Sequence, residues 1–166
     1  MFLSLKLIFL PSSAGAAVKD STPKFLHWYS ALLLIFIGLA RLAMSYFMEG
    51  PFYIEDLFVE ALTAFQSLFL AIILSSLIAV ISKILKGKAT FPQIEMLIAH
   101  AFLSYFFYDL FYYFVSDILS LRFNVWGVSA LRLLPLFFYI WFGLIVALGM
   151  RNLNELNFVR NVLTLF

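Results

Sequence analysis

The stretch LFVEALTAFQSLFLAIILSSLIAVISKIL, residues 57–85, decides the fold. Between Glu60 and Lys83 it contains no charged residue, and it exceeds the roughly 20 residues that a helix needs to cross a bilayer. Inside hydrocarbon, every backbone N–H and C=O group needs an internal partner, so an α-helix is the expected structure. The alternating polarity and frequent turns of a membrane β-barrel are missing from the sequence.

The composition of the whole chain agrees with this reading. Of its 166 residues, 64% are apolar and 12% are charged, and the mean hydropathy is +1.03. A soluble domain contains about 45–50% apolar and about 25% charged residues. A small domain has too much surface to bury such an excess, so lipid is the expected surroundings.

Three further apolar runs lie at residues 25–48, 93–121 and 128–150. They are separated by Glu49-Gly50-Pro51, by the lysine-rich segment around residues 83–88, and by RFNVWG at 122–127, where a turn is expected. The sequence therefore predicts an all-α, multi-pass membrane bundle of about four transmembrane helices. Pro135 interrupts the last of them.

The two ends of the chain are apolar but too short to span a bilayer. We expect residues 1–24 to form an N-terminal interfacial or docking segment and residues 151–166 to form an amphipathic tail. Residues 25–150 are expected to form the bundle between them.

The distribution of charges predicts the orientation, because lysine and arginine favour the cytoplasmic, matrix or stromal side. Basic residues precede the first helix, follow the second and follow the fourth, whereas the first loop is acidic. Both termini are therefore expected on the cytoplasmic (or matrix or stromal) side. The basic residues concerned are Lys6, Lys19, Lys24, Lys83, Lys86, Lys88, Arg151 and Arg160.

A ridge of small residues runs along the second apolar stretch, one at every fourth position. Such a ridge lets another helix approach closely, which is how membrane helices associate. It indicates either packing inside this bundle or a docking face for a partner protein. The residues are Thr63, Ser67, Ala71, Ser75 and Ala79.

Charged residues inside apolar runs are the other candidates for function. Such groups cost about 2.5–3.5 kcal/mol on insertion scales, so they normally pair or face water. Arg41 and Asp109 are expected at similar depth and form a candidate pair, which indicates either a structural ion pair or a proton or ion path. Nearer the outer surface, Asp117 is expected to form an ion pair with Arg122 or Arg132.

No pattern typical of an enzyme is visible. The absence of cysteine excludes disulfides, zinc thiolates and cysteine nucleophiles, and no nucleophile elbow or phosphate loop occurs. His100 points away from Asp109 on an ideal helix, and His27 has no carboxylate at ligand spacing in its own helix. No metal or cofactor is therefore expected beyond structural lipid.

One part of the chain resembles a known family. The stretch SSLIAVISKILKGKATFPQIEMLIAHAF and the later FYIWFGLIVALGMRNLNELNFVRNVLTLF, within residues 57–166, are similar to the YIP family of Ypt-interacting-protein-like membrane proteins. The resemblance implies a five-span fold with a cytoplasmic N-terminus and, for eukaryotic members, a connection to Rab-type GTPases and vesicle traffic. The chain departs from the family in lacking the long cytosolic N-terminal region and in ending where a fifth helix would begin.

The sequence thus favours a non-enzymatic membrane protein that acts as a structural or accessory subunit or scaffold of a larger complex. The expected partners are membrane lipid and other membrane subunits. Nucleic acid is not expected, because the net charge of +2 is scattered between apolar runs. The alternatives are a small transporter or channel using the Arg41–Asp109 pathway, with Pro135 and Gly143 in a broken helix, and a YIP-like trafficking adaptor.

Overall fold

The protein is a bundle of long helices. Its structure, a computed structural model, describes residues 18–49 and 54–154. The side chains of residues 48–49, 54–56 and 113–132 are outside this description. The long helices are α1 (Pro23–Glu49), α2 (Ile54–Ile84) and α3 (Phe91–Asn154). No strand occurs in the described ranges. The all-α prediction is confirmed.

Within the described residues, four segments are long and apolar enough to cross a membrane, and the 64-residue α3 supplies two of them. We call these segments α3N (Phe91–Tyr112) and α3C (Leu133–Asn154). The rings of Phe102 and Phe142, one from each segment, lie 5.4 Å apart. A straight helix would separate these residues by about 60 Å at 1.5 Å per residue, so the chain reverses between the two segments. The prediction of four transmembrane helices is confirmed, and the chain is a multi-pass membrane protein.

The turn expected at residues 122–127 is not a separate loop, because the backbone there is helical, and the reversal between α3N and α3C takes place within helical backbone. The segment contains a single glycine and no proline, so nothing in it forbids helical dihedral angles. The helix also runs without a break past Pro135. A broken helix at this proline, which would mark some transport sites, is therefore not present.

The contacts of α1 establish the direction of its neighbours. The end of α1 meets the beginning of α2, where Ser45 Oγ lies 3.1 Å from Glu60 Oε2. Helices α1 and α2 are therefore antiparallel. The beginning of α1 meets the beginning of α3N, where His27 Nδ1 lies 2.6 Å from Glu95 Oε2. Helices α1 and α3N are therefore parallel.

The remaining pair, α2 and α3C, is also parallel. Ser82, in the last turn of α2, donates a 2.9 Å hydrogen bond to Oδ1 of Asn154, the last residue of α3. One end of the bundle consequently carries the first residue of α1, the last residue of α2 and both ends of α3. We call this the basal end, and the opposite end, which carries Glu49 and Ile54, the distal end.

The connection between α2 and α3 is built by helix caps. Lys86 adopts a left-handed conformation with φ of 61°, and the N–H of Gly87 donates to the carbonyl of Ser82 at 2.7 Å, which ends α2. At the start of α3, the Thr90 N–H donates to the side-chain oxygen of Gln93 at 2.9 Å. This half of a capping box satisfies an N–H that the helix itself leaves unpaired.

The basal half of the bundle is closely packed around α3N. A fully buried apolar layer lines this helix and the facing part of α3C; it consists of Ile94, Met96, Leu97, Ile98, Ala99, Ala101, Ile145 and Met150. A Cβ atom on Gly149 would lie 2.5 Å from the side chain of Leu97. A larger residue at this position would require Leu97 to move, so glycine favours the close approach of α3C to α3N.

Both terminal segments meet the bundle where they are described. Val18, within the N-terminal segment 1–24, is fully buried in the core. Residues 151–154 of the expected tail continue α3, and Leu153 and Asn154 are buried. Residues 1–17 and 155–166 lie outside the described ranges.

Candidate functional site

The candidate site is centred on an ion pair between α1 and α3N. Arg41 Nε lies 3.0 Å from Asp109 Oδ2, and the two side chains are 24% and 14% exposed. The structure therefore brings together the two intramembrane charges that the sequence singled out. Asp109 Oδ2 accepts no hydrogen bond from the described residues, since the guanidinium N–H is not aligned with it. The contact is electrostatic, and the oxygen retains its capacity to accept a hydrogen bond.

A polar cavity of about 200 Å³ adjoins the ion pair between α1 and α2, on the distal side. Glu60 lines it, and Glu60 Oε2 accepts the hydrogen bond from Ser45. Arg41 and Asp109 lie in the same wall. The Arg41 guanidinium thus contacts the carboxyl group of Asp109 and shares the lining of this space with that of Glu60.

A second cavity of about 400 Å³ lies on the other side of Arg41, between α2 and the two segments of α3. Its polar lining includes Gln66, Ser67 and the hydroxyl groups of Tyr105 and Tyr139, which lie 3.1 Å apart. Arg41 lines this cavity as well as the one that adjoins the ion pair.

The small-residue ridge of α2 faces the interior of the bundle. Ser67, Ala71 and Ser75 are buried, and Ala79 is half-buried against the core. Thr63 is exposed and donates to the carbonyl of Val59 in its own helix. Three of the five ridge residues therefore pack within the chain and are covered, so they cannot form a docking face for a partner.

The two histidines belong to separate contacts near the basal end. His27 meets Glu95, as described above, and its side chain is 55% exposed. His100 is fully buried; its Nδ1 donates to the carbonyl of Met96 at 2.7 Å, and its ring stacks on Tyr29 with centroids 5.9 Å apart. In the described part of the chain, no group of three or more histidine or acidic side chains is placed to hold a metal ion.

The outer charges Asp117, Arg122 and Arg132 lie on helical backbone, and their side chains are outside the described residues. Their expected pairing stays a prediction.

Sequence analysis did not predict two contacts, that of His27 with Glu95 and that of Asn154 with Ser82 and Ala89, although the positions of His27 and Glu95 in their helices could have indicated the first. His27 and Glu95 each lie four residues after the first residue of their helix, so parallel packing of the two helices brings them to one depth. Asn154 gave no such signal, because its partners are Ser82 and the backbone N–H of Ala89, both distant in sequence.

The four spans and the buried charges define the class to which the chain belongs, the multi-pass helical membrane proteins. Compared with protein families, with curated proteins and with solved structures, the chain matches none. The resemblance to the YIP family therefore stays a prediction.

Proposed function

We propose that the chain is a non-enzymatic membrane protein that serves as a structural or accessory subunit of a larger membrane complex. The observation that supports this most strongly is the closure of the basal half of the bundle. The side chains of Ile94, Leu97 and Ile98 are fully buried there, against Ile145 and Met150 of α3C. A closely packed bundle is rigid and leaves no open passage through its basal half, which is the property expected of a structural subunit.

The outer surface of the bundle is well suited to apolar contact. Its large aromatic side chains project outward, among them Trp28, Phe47 and Phe58, which are 69%, 82% and 71% exposed. In the membrane these rings contact lipid or a neighbouring subunit. Aromatic side chains are rich sources of contact energy in protein interfaces.

The proposed orientation places the basal end on the cytoplasmic, matrix or stromal side. Lysine and arginine outnumber Asp20 and Glu95 at this end, whereas acidic residues gather at the distal ends of α1 and α2, in agreement with the positive-inside rule. The basal residues are Lys24, Lys83, Lys86, Lys88 and Arg151, and the distal ones are Glu49, Glu55, Asp56 and Glu60.

The test is affinity capture of the tagged chain from native membranes in a mild detergent, followed by measurement of the mass and stoichiometry of the captured particle. We expect a fixed ratio of this chain to one or more other membrane proteins. A four-helix membrane protein of unrelated sequence, captured in the same way, is the control. A particle that contains a single copy of the chain and detergent alone would contradict the proposal.

A second candidate function, transport of an ion or small polar molecule, is favoured by one observation. Arg41 lines two cavities, and an ionised side chain at membrane depth is a common feature of transport paths. In this case Asp109→Asn should abolish a flux measured in reconstituted vesicles. Under the structural proposal no such flux exists, and the substitution alters stability alone.

A further inference from the structure

The connection between α2 and α3 packs directly onto the last residue of α3. A Cβ atom on Gly87 would overlap Ser82 Oγ and Asn154 Oδ1. The same Asn154 oxygen accepts hydrogen bonds from Ser82 Oγ and from the backbone N–H of Ala89. We call these four residues the basal junction. Their packing holds the end of α2, the connection and the end of α3 in one arrangement.

Four exposed cationic residues surround the basal junction. Three of them adjoin one of its residues in the chain, and the fourth lies three positions, or about one helical turn, before its asparagine. They are Lys83, Lys86, Lys88 and Arg151. Because the junction holds the two helix ends together, these charges gather at one place on the surface.

Opposite charges do not neutralise this cluster. Lys83, Lys86 and Arg151 form no ion pair within the part of the chain that the structure describes. The acidic residue on α3 nearest the connection is buried against a histidine of α1, and Glu155 lies outside the described residues. The acidic residues of this end in the sequence are Asp20, Glu95 and Glu155. Even with all three counted, the four cations leave a net positive charge.

The cluster lies at the depth of the lipid headgroups. The apolar spans of α2 and α3C end at Ile84 and Asn154, and that of α3N begins at Phe91. The side chains of Ile84 and Phe91 are exposed directly beside the cations. Cationic groups at the membrane surface with apolar side chains below them match an amphiphile with an anionic headgroup and acyl chains.

Stabilisation of helix ends does not account for the whole cluster. Lys83 and Arg151 lie in the last turns of their helices, where a cation interacts favourably with the helix dipole. Lys86 and Lys88 lie beyond the end of α2, and Lys86 has a φ of 61°, a conformation in which glycine or asparagine is usual. A lysine held in this conformation indicates a role for its side chain.

We propose that the basal junction binds a phospholipid with an anionic headgroup. The lipid phosphate accepts hydrogen bonds from Lys86 and its cationic neighbours, and the acyl chains lie along Ile84 and Phe91. Lysine and arginine only donate hydrogen bonds, so the site selects an acceptor of negative charge. The site requires a chain that spans a membrane and no partner protein, so it is independent of the proposed subunit role.

The probe is dioleoyl phosphatidylglycerol, added to the purified full-length chain in micelles of a neutral detergent. Native mass spectrometry counts the bound lipids and gives the Kd, and the rise in Tm on binding gives a second measurement. Dioleoyl phosphatidylcholine, which has the same chains and no net charge, should bind about tenfold more weakly. Inorganic phosphate, which has the charge without the chains, should neither raise the Tm nor displace the lipid. Added salt should weaken binding of the anionic lipid.

Substitutions at Lys86 separate lipid binding from folding. Lys86→Gly removes one charge and should raise the Kd for the anionic lipid about fivefold. The same variant should raise the Tm without lipid by about 2–4 °C, because glycine adopts positive φ without strain. Lys86→Arg keeps the charge and should keep the Kd. Lys24→Gln, which removes an exposed basal lysine on α1 outside the junction, should leave the Kd nearly unchanged.

Four results would overturn the proposal. Equal affinity for the two lipids would show that charge plays no part, and displacement of the lipid by inorganic phosphate would identify a site for the free ion. An unchanged Kd for Lys86→Gly would show that the junction does not hold the headgroup. An equal rise in Kd for Lys24→Gln and Lys86→Gly would show a diffuse attraction to the whole basal end.

Discussion

Arg41 Nε lies 3.0 Å from Asp109 Oδ2, and each residue stands 18 positions after the first residue of its helix. Parallel packing of α1 and α3N brings the two charges to the same depth. An ionised group in hydrocarbon is costly unless it is paired, so the pair couples the two helices to each other.

Removing one member of this pair should destabilise the bundle more than removing both. We expect Asp109→Leu to lower the free energy of unfolding by about 3 kcal/mol, because the half-buried Arg41 would lose its ion-pair partner on α3N. The double variant Arg41→Leu/Asp109→Leu should recover most of the loss. A double-mutant cycle of unfolding in detergent measures the coupling. Strictly additive losses would show that the two charges do not interact.

Close approach of α1 to α2 depends on Gly38. A Cβ atom at this position would lie 2.5 Å from the ring of Phe65, whereas a Cβ at Gly143 would meet nothing within 4 Å. We expect Gly38→Ala to destabilise the protein by about 1–3 kcal/mol through overpacking. The matched Gly143→Ala should be neutral or stabilising, since alanine favours helix over glycine. Thermal unfolding of the two variants in the same detergent checks this, and equal Tm values would contradict it.

The adjacent serines of α2 differ in their surroundings. Ser75 is fully buried inside the bundle, and Ser76 is exposed on its surface. Ser75→Leu should therefore force the helices apart and lower the yield of folded protein, with a loss of about 1–3 kcal/mol. Ser76→Leu, which adds an apolar side chain on the lipid-facing surface, should be tolerated. Size-exclusion profiles and Tm values compare the two, and reversed effects would show that the ridge faces outward.

Asn154, the last residue of α3, holds the connection between α2 and α3 in place through hydrogen bonds. Asn154 Oδ1 accepts hydrogen bonds of 2.9 Å from Ser82 Oγ and from the backbone N–H of Ala89. Asn154→Leu leaves that buried N–H without an acceptor and should cost about 1–3 kcal/mol. Ser82→Ala removes one donor and leaves the bond to Ala89 intact, so its loss should be smaller. Chemical denaturation of both variants gives the order, and a larger loss for Ser82→Ala would contradict this account.

The chain contains no cysteine, so single cysteines can report its orientation without background. Lys24→Cys and Lys88→Cys lie at the basal end, and Asp56→Cys lies at the distal end. In intact cells, a membrane-impermeant maleimide should label the distal cysteine and spare both basal ones. Labelling after permeabilisation provides the control. Labelling of Lys24→Cys and Lys88→Cys from opposite sides would contradict the arrangement of the helices.

The sequence by itself determined the class of fold. Stretches such as residues 57–85 are too long and too apolar for a soluble protein of this size, and hydrocarbon forces such stretches into helices. The depth of Arg41 and Asp109 also followed from counting along the helices. These properties are local, because each depends on one segment and its solvent.

The tertiary structure alone decided which faces meet. The ridge of α2 could have faced a partner or the interior, and only the packing around Ser67 and Ser75 shows that it lies inside. The contacts of Glu95 and Asn154, and the cavity beside Ser67, likewise depend on residues far apart in the chain. Hydrophobicity carries no directional information between helices in lipid, since every apolar face is equally compatible with lipid tails. The helix pairs are selected by close packing and a few polar contacts, which form only when the whole bundle assembles.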